Sequence, residues 1–205
     1  MGQYSDVIPV TITADTVALD ADGISVAASV GNNAALVIGG ALADSGSVTL
    51  SHGRLITILS AGDDSAISFT VVGTDVNGDS QTETVTGANA GTATSSKYFK
   101  TIASITAVGN PAGNVSAGIN ASAADAIFTM RSRLKGMFLT STATAGEIDF
   151  LTSSPSGTSI MKLNSVSDAD ATRDVTIPNE GVVFTSGIYI QYTVSTFLTM
   201  TVFHA

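Results

Sequence analysis

The chain has no cysteine and no tryptophan, and only eight of its 205 residues are Lys or Arg. Without cysteine there is no disulfide framework, no thiolate nucleophile and no Cys-ligated zinc. Eight basic side chains against 17 acidic ones leave a net charge of −9. Phosphate binding needs clustered Lys and Arg, so this balance argues against nucleic acid as a partner. Charged residues make up 12% of the chain, about half the usual ~25%. A surface so poor in charge must be covered by hydroxyls and amides or by neighbouring subunits. No apolar run reaches the ~20 residues of a membrane-spanning helix, so no membrane partner is expected. The start, Met1-Gly2-Gln3-Tyr4-Ser5-Asp6, carries neither the basic nor the apolar region of a secretory leader, and the expectation is a chain that is not exported.

What is present favours strands. The hydrophobic share is 44%, drawn largely from Ala and Val. Ser, Thr and Gly fill the gaps, a usage that suits pleated surfaces and turns. Residues 1–30 alternate polar and apolar and read as an extended arm leading into strands. Ala34 to Ala43, around Gly39-Gly40, reads as a further strand. Val48 and Leu50 are followed by Leu55 to Leu59, with His52 in Ser51-His52-Gly53-Arg54 reading as a turn residue. Ile67, Phe69 and Val71 share one strand face, and Thr82, Thr84 and Thr86 alternate on the return after Asn77-Gly78, a hairpin signature. Tyr98 to Val108 forms the next strand, with Val115 to Ile119 expected to pair back onto it. Asn120 to Asp125 is small and polar and marks a domain boundary. Further strands follow at Leu134–Leu139, Gly146–Leu151, Ser159–Leu163, Val175–Ile177 and Val182–Phe184. Two more close the chain, one aligning Ile188, Ile190, Tyr192 and Val194, the other aligning Leu198, Met200 and Val202 with Phe197 and Phe203 opposite. The fold class read from this pattern is all-β: two antiparallel β-sandwich or barrel-like modules, residues 1–125 with an extended N-terminal arm and residues 126–205. The first holds three basic and eleven acidic residues, the second five and six.

Signs of chemistry are sparse. The two histidines, His52 and His204, have no recognisable nucleophile motif around them, and His204 reads as a strand-end side chain. No nucleophile elbow, phosphate-binding loop or zinc-protease helix is present. No cofactor is therefore expected. Asp75, Asn77 and Asp79, with Glu83 beyond, offer hard oxygen ligands of the kind calcium takes, but the spacing fails the EF-hand pattern and turn chemistry accounts for these residues. Asn114-Val115-Ser116 and Asn120-Ala121-Ser122 match the glycosylation sequon, which has no use without export. Arg131, Arg133 and Lys135 form a basic trio near the boundary, read either as a solvated strand edge or as a docking patch for an acidic partner.

Leu55 to Asp64, Ile67 to Asp75, Thr82 to Gly87 and Thr94 to Ala107 resemble structural proteins of tailed bacteriophages. Arg133-Leu134-Lys135-Gly136 and Pro178-Asn179-Glu180-Gly181-Val182 extend the likeness into the second half. The resemblance implies a virion component made in the host cytoplasm, in the first place a capsid decoration (cement) protein. Such a protein acts as a homotrimer and contacts the major capsid protein on the outer surface of the head. It implies no catalytic activity. The arm residues Gln3, Tyr4, Val7, Ile8 and Pro9 and the trio Arg131, Arg133 and Lys135 are the expected contacts with capsid or subunit, and deleting residues 1–9 is expected to leave the fold intact. Alternatives are a head or tail fibre or tail adaptor, and a bacterial surface adhesin or carbohydrate-binding β-sandwich using Tyr98, Tyr189 or Tyr192.

Overall fold

The computed structural model describes residues 6–14, 20–120 and 124–205. These are all-β and antiparallel, in sixteen strands: β1 (Ile8–Thr13), β2 (Asp20–Ser29), β3 (Ala43–Asp44), β4 (Ser47–Ser60), β5 (Ser68–Thr74), β6 (Ser80–Thr86), β7 (Thr92–Val108), β8 (Asn114–Ile119), β9 (Ala124–Phe128), β10 (Ser132–Ser141), β11 (Glu147–Thr152), β12 (Thr158–Asn164), β13 (Thr172–Thr176), β14 (Val182–Phe184), β15 (Ile188–Tyr192) and β16 (Phe197–His204). Two compact units result, a terminal unit of residues 6–14 and 124–205 and an inserted unit of residues 20–120.

The second break, between Asn120 and Ala124, lies close to the boundary expected near residue 125. The arm, expected with the first module, belongs to the terminal unit. β1 pairs along its whole length with β16, Ile8 opposite His204 and Thr13 opposite Thr199. The physical reason is the alternation noted in the sequence. Ile12 is 0% exposed, and with half-buried Val10 it fills a core made by residues that lie more than a hundred positions further on. A six-residue arm with two inward apolar groups gains more by completing a sheet than by staying in water.

The terminal unit has two layers. One sheet runs β1-β16-β10-β13, with β14 also on β10; the other runs β12-β11-β15-β9. Between them lie Leu134, Met137, Phe150, Phe184, Ile190 and Met200, all 0% exposed. In the first sheet the inward row Val10, Val202, Met137, Val175 alternates with the outward row Thr11, Thr201, Phe138, Asp174. The next outward row is Thr13, Thr199, Thr140, Thr172. A surface clad in hydroxyls is what the low charge content required. Thr11 and Thr201 share a hydrogen bond of 3.0 Å across the strands. The last strand departs from expectation at its start: Phe197 is 0% exposed and Leu198 is 44% exposed. A register irregularity between Thr140 and Ser141 shifts the phase of the pleat there, so inward and outward exchange.

The inserted unit is a sheet of order β2-β8-β4-β7-β5-β6, with β3 on β4. Its core holds Ile24, Ile56, Ile58, Phe69, Val71, Phe99, Ile102 and Ile105, all 0% exposed. The 67–86 hairpin forms as read, Ser68 opposite Thr86 through Thr74 opposite Ser80. Gly78 takes the positive φ of its turn, at 90°. Three other expectations are corrected. β8 pairs with β2 and β4 and not with the Tyr98–Val108 segment, whose neighbours are β4 and β5. His52 is no turn residue: it lies within the fourteen-residue β4 at 1% exposure. Between Thr49 and Arg54 β4 advances five residues while β7 retreats two, and this bulge absorbs what the sequence presents as a turn. The 34–43 stretch is no strand before Ala43; it is an irregular loop held by Leu36 N to Ile105 O at 2.8 Å and by Gly39 and Gly40 N to Ile24 O at 3.1 and 3.0 Å. Gly40 is required there, because a Cβ would stand 2.3 Å from the Asp22 carbonyl oxygen.

Candidate functional site

The sequence placed its candidate contacts at two distant points, the arm and the basic trio. The terminal unit brings both to one end of one sheet. β16 lies between β1 and β10, so Ile8, His204 and Leu134 form one cross-strand row, and Pro9, Phe203 and Gly136 form the next. At a strand spacing of about 4.8 Å, Ile8 stands about 10 Å from Leu134. Val7 is 36% and Ile8 52% exposed. Gln3 and Tyr4 lie outside the described residues.

In β10, Arg133 and Lys135 alternate with Ser132 at 2% and Leu134 at 0% exposure, so pleating turns these two cations to the outer face while their neighbours point to the core; Arg131, exposed, directly precedes the strand. The reading as a strand edge is corrected: β10 is an interior strand, with β16 on one side and β13 and β14 on the other. The backbone of Arg133 is fixed by Ala205, N to O at 2.7 Å and O from N at 2.9 Å. The Arg133 guanidinium donates to the Glu180 carbonyl and the Lys135 ammonium to the Asn179 carbonyl, each at 3.3 Å. Both carbonyls come from a turn shaped by Asn179 at φ 58° and Gly181 at φ 78°. These carbonyls orient the cations without neutralising them. Among the described residues none of the three is ion-paired with a carboxylate, whereas Lys162 contacts Glu147 at 2.6 Å and Asp149 at 3.5 Å.

Sequence reasoning missed the apolar surround of this row. Met130 is 51% exposed beside Arg131, half-buried Phe203 lies one strand over, and half-buried Val183 faces Arg133 from β14. Met130 sits in a loop with no periodicity to mark it, and Phe203 becomes a neighbour only through the β10–β16 register.

The remaining candidates resolve into structure. Asp75 Oδ1 accepts from Asn77 N at 2.8 Å and Asp79 N at 3.0 Å, and its Oδ2 accepts from Asn77 Nδ2 at 3.1 Å, so the would-be calcium ligands cap their own turn. Glu83 is turned away from that loop, accepting from Ser96 N and Oγ at 2.7 Å and from Lys97 N at 2.9 Å. No group of three or more His, Cys, Asp or Glu among the described residues is placed to hold a metal ion. The Tyr192 hydroxyl donates to Asp125, and the ring is only 4% exposed, so it offers no sugar platform. Tyr98 and Tyr189 are both half-buried.

Each histidine shares a hydrogen bond with a serine, Ser51 Oγ to His52 Nδ1 at 2.8 Å and Ser132 Oγ to His204 Nδ1 at 3.2 Å. The imidazoles are 1% and 3% exposed, so neither presents an open base to a substrate. His204 ends its strand as expected and packs its ring 5.0 Å from that of Phe128. Burial depresses its pKa below the ordinary value of 6.5. Between the depressed and the ordinary value the unfolded chain binds more protons than the folded one, so stability is full above 6.5 and falls as pH drops below it. Thermal melts from pH 7.5 to 5 are expected to show this decline, and His204→Gln is expected to flatten it. A decline equally steep in the variant refutes the assignment.

No protein family, no curated protein and no solved structure matches the chain.

Proposed function

We propose that this chain is a non-catalytic structural protein of a virus particle, a decoration protein that seats as a trimer on the assembled capsid and contacts the major capsid protein. The observation that carries the reading is the face just described, three cations without carboxylate partners among the described residues, two of them oriented by carbonyls, amid apolar groups on a chain of net charge −9. On such a chain this face is the place where an acidic protein surface is attracted and not repelled. The strand segments that resemble tailed-phage virion proteins, and the hydroxyl-clad outer rows, agree with it. A protein that binds the assembled shell and not its free subunits stabilises the shell by mass action.

The test is copy number. Purified particles incubated with the protein and washed are expected to retain it in hundreds of copies and to withstand higher temperature. A handful of copies per particle means a fibre or tail adaptor, and none at all refutes a virion role.

A further inference from the structure

We infer that the outward row Arg131, Arg133 and Lys135 is a docking strip for an extended segment of a partner protein that carries carboxylates at alternate positions. The inference names the partner chemistry of the face proposed above and rests on reading that face as a protein interface.

Pitch is the first ground. Arg133 and Lys135 stand two residues apart in β10, an interval of about 6.8 Å in a regular strand; Arg131 directly precedes the strand and prolongs the row, and the register slip between Leu134 and Gly136 places Lys135 at a bulge. An extended acidic segment laid along β10 presents alternate side chains at that same interval. Charge is the second. Arg133 and Lys135 each donate one hydrogen bond, to a carbonyl, which leaves further donors on a five-donor and a three-donor group. Arg131 is exposed and makes no hydrogen bond or ion pair among the described residues. Other cations are engaged differently: Lys97 with the Thr82 carbonyl, Lys100 with that of Ser51, Arg173 with that of Asn164, Lys162 in its ion pairs, and Arg54 fully buried. The third ground is the surround. Phe203 and Pro9 on one side and Val183 on the other flank the row with apolar surface that excludes water from the charge pairs.

The probes are three labelled peptides: four Thr-Glu repeats, the same residues as a Thr block and a Glu block, and four Thr-Lys repeats. Binding is read by fluorescence anisotropy on the full chain at 50 and 200 mM salt. The alternating acidic peptide is expected to bind most tightly and to weaken with salt. The triple variant Arg131→Gln, Arg133→Gln, Lys135→Gln is expected to lose about tenfold in affinity, the sum of three modest exposed pairs. Arg131 is exposed and Arg133 and Lys135 are half-buried at the surface, so its melting temperature should stay close to that of the parent, and Glu180→Gln should bind at least as well as the parent. Equal binding of block and alternating peptides, unchanged binding by the triple variant, or displacement by millimolar inorganic phosphate overturns the proposal. So does self-association that the triple variant abolishes, since the occupant is then a second copy. Failure with peptides while the protein still decorates particles removes the strip and keeps the proposed function; peptide binding without particle binding does the reverse.

Discussion

Ile12→Ala is expected to destabilise the terminal unit by about 2–5 kcal/mol, as for other fully buried large-to-small changes, although Ile12 stands in what reads from sequence as a detachable arm. Its side chain is 0% exposed, in a core with Leu134, Met137, Leu139, Met200 and Val202. Hydrogen exchange is the informative measurement. Protection is expected to fall in β10 and β16, more than a hundred residues away in sequence, while the amides of the inserted unit hold theirs. Truncation through Thr13 should go further, because it removes Ile12 and also opens the edge of β16, which leaves a row of unpaired backbone groups prone to association. The expectation that residues 1–9 are dispensable is revised by the same geometry. Ile8 and Pro9 are already paired, opposite His204 and Phe203, so that deletion is expected to lower the melting temperature as well as alter any docking. Unchanged exchange in β10 and β16 upon Ile12→Ala would sink the placement of β1.

Phe99→Ala is the counterpart in the inserted unit, with an expected cost of about 3–5 kcal/mol. Phe99 is 0% exposed in a cluster with Ile24, Ile56, Phe69, Val71 and Ile102, and the two units keep separate clusters of buried apolar residues. Exchange is therefore expected to rise in β4, β5 and β7 and to spare β10, β11 and β16. The pair of variants reads the division of the chain directly. If either one loosens all sixteen strands alike, the two cores unfold as one cooperative unit and the division has no energetic meaning.

Strand content was legible because pleating imposes a period of two that survives in the residue pattern. Ile67, Phe69 and Val71, the Asn77-Gly78 turn and the Thr82–Thr86 return specify their hairpin locally, and most strands of the terminal unit appear near their expected places. Position 52 shows the limit. Ser51-His52-Gly53-Arg54 has turn chemistry, yet a bulge against β7 carries the strand through it, and only the partner strand makes that choice. The loop at 34–43 is similar: its apolar residues suit a strand, but the close approach of Gly40 to Asp22 and Gly23 takes the backbone elsewhere.

The candidate face divides in the same way. Composition and pattern alone determined an all-β, cysteine-free, charge-poor acidic chain, the alternation of Arg131, Arg133 and Lys135, and the amphipathic character of the arm. These are local or summed properties, readable without knowing any contact. Tertiary structure decided that the arm crosses the inserted unit in sequence to join β16, that β16 sets Ile8 and Pro9 two strands from the cations, and that Met130, Phe203 and Val183 surround them. Strand pairing between distant segments depends on which edges remain open once every core is filled, and a linear pattern of period two is compatible with many such pairings.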